Sequence, residues 1–181
     1  MKYIFWGYFL IFFHLRINGI DLLPDFVGYI LIVMGLGQLA EESEHFVKAK
    51  PWAVFMAVLH IVTGLLGFVG LLGYPFGSLL GLVFSCFSLY IMNLIGHGIR
   101  ETEQKKAIDM GGEKFRTLWK CQAIFTIGCQ VMALLTLVLL ANILLLPSLI
   151  ANIVYLVYLH RARKALEECE DETEGETQSN F

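Results

Sequence analysis

Two groups of polar side chains stand out against a mostly apolar chain, and their types could do chemistry. The first is His14, Arg16, Asn18, Asp21 and Asp25, close together near the start. Two carboxylates, a guanidinium and an imidazole at the mouth of a membrane protein could bind a cation or a zwitterion, or relay protons. Plain structural roles also account for them. Arg16 can reach lipid phosphates while its stem stays apolar. Asp21 can cap the following helix, and Asp25 sits where the positive end of the helix dipole favours a carboxylate. The second group is His60, Asn93 and Gln130, each inside an apolar run. Polar groups in such runs are costly unless paired, and they often mark a pathway. His60 lies deepest, with Ser85, Ser88 or Gln130 as its candidate partner; simple packing of a lone histidine is the competing reading. His97 and His160 fall near the ends of apolar runs and read as solvated.

Enzyme motifs are absent from the sequence: there is no His-Glu-x-x-His, no Gly-x-Ser-x-Gly and no phosphate loop. Gly35-Leu36-Gly37-Gln38-Leu39-Ala40 fits a dinucleotide pattern but ends an apolar helix instead of following a strand. Cys86, Cys121, Cys129 and Cys169 match no zinc spacing and read as small side chains within helices or tail. No cofactor and no metal are expected.

The elements that must position these residues follow from composition. In 181 residues, 57% are hydrophobic and only 16% are charged. Mean hydropathy is +0.67. A soluble domain carries about 25% charged residues. A globule this small cannot bury so much apolar surface, so lipid is the expected solvent. The fold class is all-α integral membrane. Six transmembrane helices are predicted, at 3–18, 24–40, 52–72, 75–99, 118–140 and 147–160, paired as three helical hairpins. Residues 1–164 form the bundle and 165–181 an acidic tail with Glu167, Glu168, Glu170, Asp171, Glu172, Glu174 and Glu176. Lys2 and the apolar run after it resemble a signal peptide, but no small-residue cleavage site follows, so the segment reads as a retained first helix. Because that helix is short, a five-span arrangement with helix 1 in the interface is the rival topology.

Orientation comes from the basic residues. With six spans and a cytoplasmic N-terminus, every lysine and arginine except Arg16 falls inside, as the positive-inside rule requires. Both termini are then cytoplasmic, and the protein belongs to the cell membrane. The charged links around Glu44/Lys48 and Glu101/Lys105 hold favourable i,i+4 pairs, so helices 2 and 4 are read as extending into water. Pro24, Pro75 and Pro147 each open the second helix of a hairpin, where a missing N–H costs nothing. Gly77, Gly81, Ser85 and Ser88 make a small-residue stripe on helix 4, of the type that lets helices approach closely in lipid. Helix 4 is therefore placed at the bundle centre.

Residues 17–31, Ile-Asn-Gly-Ile-Asp-Leu-Leu-Pro-Asp-Phe-Val-Gly-Tyr-Ile-Leu, resemble the opening hairpin of small multi-pass membrane proteins of Gram-positive bacteria, a group with no assigned activity. The resemblance covers helices 1 and 2 and implies a bacterial plasma membrane.

The functional expectation is a non-catalytic scaffold or a small subunit of a membrane assembly. Its partners would be membrane lipid, a protein docked on the cytoplasmic links and tail, and a possible second copy of the chain. Nucleic acid is not expected, because no basic stripe interleaved with aromatics occurs. The alternative is a small-solute or ion transporter, with His60, Asn93 and Gln130 as its site and His14 to Asp25 as an outer vestibule.

Overall fold

The computed structural model describes residues 1–12, 16–17, 20–21, 25–68, 74–134 and 138–179. Six helices dominate: α1 Lys2–Phe12, α2 Asp25–Gln38, α3 Glu44–Phe68, α4 Tyr74–Lys106, α5 Gly112–Leu134 and α6 Val138–Ser179. Between α1 and α2, β1 (Arg16–Ile17) and β2 (Ile20–Asp21) form a two-residue antiparallel ladder. Each helix packs on the next in sequence, and α6 returns to α1, so the helices close into a ring.

Helix boundaries differ from the sequence expectation, each for a local reason. α1 is described over Lys2–Phe12, and Arg16–Ile17 is strand where the sequence predicts helix to residue 18. Instead, Ile17 pairs with Ile20 in a short antiparallel ladder. The charged link after α2 extends α3, not α2. Ser43 caps its start: the Ser43 Oγ accepts the His45 amide at 3.1 Å. α4 continues through its charged segment to Lys106 and stops where Ala107 adopts a φ of +53°. Gly111, at +74°, turns the chain into α5, which begins at Gly112 and not at residue 118.

Proline positions also differ. Pro75 lies in the first turn of α4, but Pro147 sits well inside α6, which begins at Val138. The shared hairpin pattern therefore does not extend to the last pair; Pro24 lies outside the described residues. α6 is continuous through Ala165 to Ser179, so the acidic tail begins as an extension of that helix. Arg163–Glu167 and Lys164–Glu168 pairs, four residues apart, accompany the extension.

Helix 4 is not central. It is one member of the ring, flanked by α3 and α5. α1 and α2 approach each other closely: a Cβ on Gly7 would stand 2.6 Å from the Gly28 carbonyl oxygen and one on Gly35 would stand 2.8 Å from the Ile4 nitrogen. Only glycine permits that spacing. Near the stripe on α4, a Cβ on Gly81 would meet the Gln130 side chain at 3.6 Å, an ordinary contact. The surroundings of Gly77 lie outside the described residues.

The buried core follows helical spacing: Ile4 and Tyr8; Ile32 and Leu36; Phe46, Ala49, Ala53 and Met56; Ile91, Ile95 and Ile99; Tyr155, Leu159 and Ala162. Among the described residues it sits toward the end that holds the charged links. Farther along the same helices large apolar side chains are exposed, including Leu65, Ile124, Ile143 and Leu146, all above 60%. Among the described residues two helices, α3 and α4, are long and apolar enough to cross a membrane; α1 and α2 are apolar but shorter, about 17 and about 21 Å by the helical rise.

Candidate functional site

Asp25 opens α2 and His60 lies in the second half of α3, so the antiparallel packing of these helices brings the two together. His60 Nε2 stands 3.6 Å from Asp25 Oδ2, and both side chains are largely buried. On its other side, His60 Nδ1 lies 2.9 Å from the Met56 carbonyl oxygen. A carbonyl only accepts, so Nδ1 carries a proton and donates it there. Nε2 then faces a carboxylate across a short gap. Aromatic rings enclose the imidazole: Tyr29 at 5.0 Å and Phe84 at 4.6 Å between ring centres.

The residues expected to form one intramembrane site are thus distributed. Gln130 does not meet His60; its Nε2 donates to Ser85 Oγ at 3.3 Å, joining α5 to α4. Asn93 lines a narrow crevice with His97, Arg100, Phe115 and Trp119. Of the first group, Asp25 leaves to pair with His60. The ladder register sets Arg16 opposite Asp21. His14 and Asn18 lie outside the described residues.

A second polar constellation occupies the other end of the bundle. Glu101 on α4 accepts hydrogen bonds from Ser43 Oγ and, at 3.1 Å, from His45 Nδ1. Lys105 Nζ reaches Glu101 Oε1 at 3.0 Å and donates to the Glu42 carbonyl oxygen at 2.9 Å. Lys106 pairs with the Glu42 carboxylate at 2.8 Å. Arg161 of α6 pairs with Asp109 at 3.1 Å, and Arg163 lies over the Phe5 ring of α1 at 5.4 Å. Both charged links, the start of α1 and the basic stretch of α6 therefore converge. The hydrogen bond from Ser43, then those from Lys105 and His45, hold the Glu101 carboxyl well below the usual range, at about 2.

Between these ends, side chains clasp neighbouring helices: Trp119 Nε1 donates to the Leu89 carbonyl oxygen at 2.6 Å, and Gln122 Nε2 to Asn152 Oδ1. Gln122 was not singled out in the sequence, although a glutamine in an apolar run was signal enough. The Ser43–Glu101 contact had no sequence signal beyond the serine's place before the charged link. Comparison with protein families, with characterised proteins and with solved structures finds no match for this chain.

Proposed function

We propose that this chain is a six-span integral membrane protein with cytoplasmic termini, acting as a non-catalytic scaffold or small subunit of a membrane assembly. The convergence of both charged links and α6 on one end carries the reading. That end offers a charged docking surface continuous with the acidic extension of α6, while exposed apolar side chains flank the helices as lipid or a membrane partner would require. In this reading α3 and α4 form the middle hairpin, and the short α1 and α2 cross a locally thinned bilayer. The resemblance of the opening hairpin to Gram-positive multi-pass proteins favours a bacterial plasma membrane. The test is the mass of the complex extracted in native lipid discs, for the full chain and for a chain ending at Ala165. A stoichiometric second protein, lost on truncation, supports the reading. A full chain that carries no protein partner rejects it.

A second reading, a proton-linked transporter of a small solute or ion, is favoured by the Asp25–His60 pair alone. Buried ionisable residues in apolar helices are typical of proton relays. Proteoliposomes carrying Asp25→Asn or His60→Ala should then lose a proton flux that the unaltered protein shows; equal flux in all three rejects this reading.

A further inference from the structure

A cleft of about 520 Å³ opens between α4, the start of α5 and the middle of α6, beside the narrow crevice that holds Asn93. Its polar rim brings Arg100 from α4 together with Lys114 and Arg116 from the first turns of α5. One carboxylate, Glu113, shares the rim; it is 88% exposed and stands 3.9 Å from Arg100, a loose contact. Among the described residues neither Lys114 nor Arg116 forms an ion pair, and Lys114 rests over the Tyr158 ring at 5.4 Å. The cleft thus presents more positive than negative charge. Its floor is apolar, from Leu118 of α5 and Val154 of α6. Exposed Ile150, Ile153 and Val157 continue along α6, and Ile124 and Ile127 along α5.

A phosphate-sized group with a hydrocarbon body fits this combination. Clustered cations at the cytoplasmic end of membrane helices attract anionic headgroups, and a basic pocket between helices adds shape to that attraction. We infer that the cleft formed by Arg100, Lys114 and Arg116 binds the headgroup phosphate of an anionic phospholipid, with its acyl chains along Leu118 and Val154. The inference rests on the membrane reading above and names a ligand for its cytoplasmic face. Arg suits the phosphate oxygens through its planar fork of donors, and Lys114 adds a point charge.

The test is native mass spectrometry of the full chain in mild detergent, titrated with phosphatidylglycerol, with phosphatidylcholine and with inorganic phosphate. Phosphatidylglycerol should bind at least tenfold more tightly than phosphatidylcholine. Lys114→Ala and Arg116→Ala, both at exposed positions, should each weaken it about fivefold. Glu113→Gln, which removes the one negative group of the rim, should tighten it. Lys164→Ala, whose amine pairs with Glu168 outside the cleft, should leave it unchanged. Equal binding of the two lipids, or binding indifferent to Lys114 and Arg116, overturns the site. Displacement of phosphatidylglycerol by equimolar inorganic phosphate would show a site for a soluble anion and overturn the lipid assignment. Recovery of the protein from the aqueous fraction without detergent would instead strike the membrane reading itself.

Discussion

Asp25 and His60 are separated by most of two helices in sequence, yet Asp25 Oδ2 and His60 Nε2 lie 3.6 Å apart. The donor bond from His60 Nδ1 to the Met56 carbonyl oxygen fixes which nitrogen turns toward the carboxylate. Removing either partner strands the other in an apolar seam. Breaking a buried pair in this way costs about 3 kcal/mol or more. Asp25→Asn and His60→Gln are each expected to lower the unfolding midpoint in detergent. The double variant should lose less than the sum, since both changes delete one interaction. Additive losses would mean that the two side chains are not coupled.

The α1–α2 seam supplies a sharper packing test. A Cβ on Gly28 would lie 2.8 Å from the Gly7 carbonyl oxygen, and backbone cannot move aside as a side chain does. Gly28→Ala is expected to destabilise the fold by about 1–3 kcal/mol, the usual range for overpacking. Gly64→Ala is the control, because nothing stands within 4 Å of a Cβ there. In that exposed stretch of α3 alanine should be neutral or should stabilise, by up to about 1 kcal/mol from helix propensity. Thermal unfolding of the two variants side by side decides it. Equal effects would contradict the close approach.

How much of this was legible beforehand depended on whether the signal was local. The apolar runs in α3 and α4 announce themselves, because each has some twenty consecutive positions without a charged side chain. Helix ends were harder. Charge reads as a boundary, which puts the start of α3 after the charged link, whereas the informative residue is Ser43, a cap just before Glu44. Proline suits first turns, so Pro147 reads as a helix start; the apolar run from Val138 carries α6 past it. The site was least legible. In sequence Asp25 reads as a dipole partner of its own helix, and His60 as a partner for Ser85, Ser88 or Gln130. Sequence spacing orders residues along one helix but says nothing of which rotation two helices present to each other. The glycines at 7, 28 and 35, not the stripe on α4, set that rotation for α1 and α2.

The end of α4 holds a correctable strain. Ala107 has a φ of +53°, a left-handed conformation in which its Cβ crowds the backbone. Glycine carries no such penalty and is the usual residue at this position after a helix. Ala107→Gly is expected to raise stability by about 1 kcal/mol despite the added freedom of the unfolded chain. An upward shift of the unfolding midpoint checks it. A fall would mean that the methyl group earns more by contact than it loses by strain.

Glu101 ties the α2–α3 link to α4, and its titration gives that tie a pH signature. Arg100 ends the apolar stretch of α4, so Glu101 lies in the charged, water-exposed segment beyond it. In the folded protein its carboxyl is held at about 2 by Ser43, Lys105 and His45. In the unfolded chain a glutamate titrates at about 4.3. The folded value is the lower one, so the folded state favours the carboxylate. Its contribution is complete above the unfolded value and fades as pH falls from about 4 toward about 2. Other carboxylates titrate in the same window, so the informative quantity is the difference between the unaltered protein and Glu101→Gln. Near neutral pH the variant should unfold at lower temperature, since an uncharged amide accepts the Ser43 and His45 bonds more weakly and gives up the Lys105 pair. As pH falls through that window the two unfolding temperatures should converge. A gap that stays constant down to pH values near about 2 would show that the carboxylate's charge does not hold this corner together, leaving the Lys106–Glu42 pair and the Ser43 cap to do so.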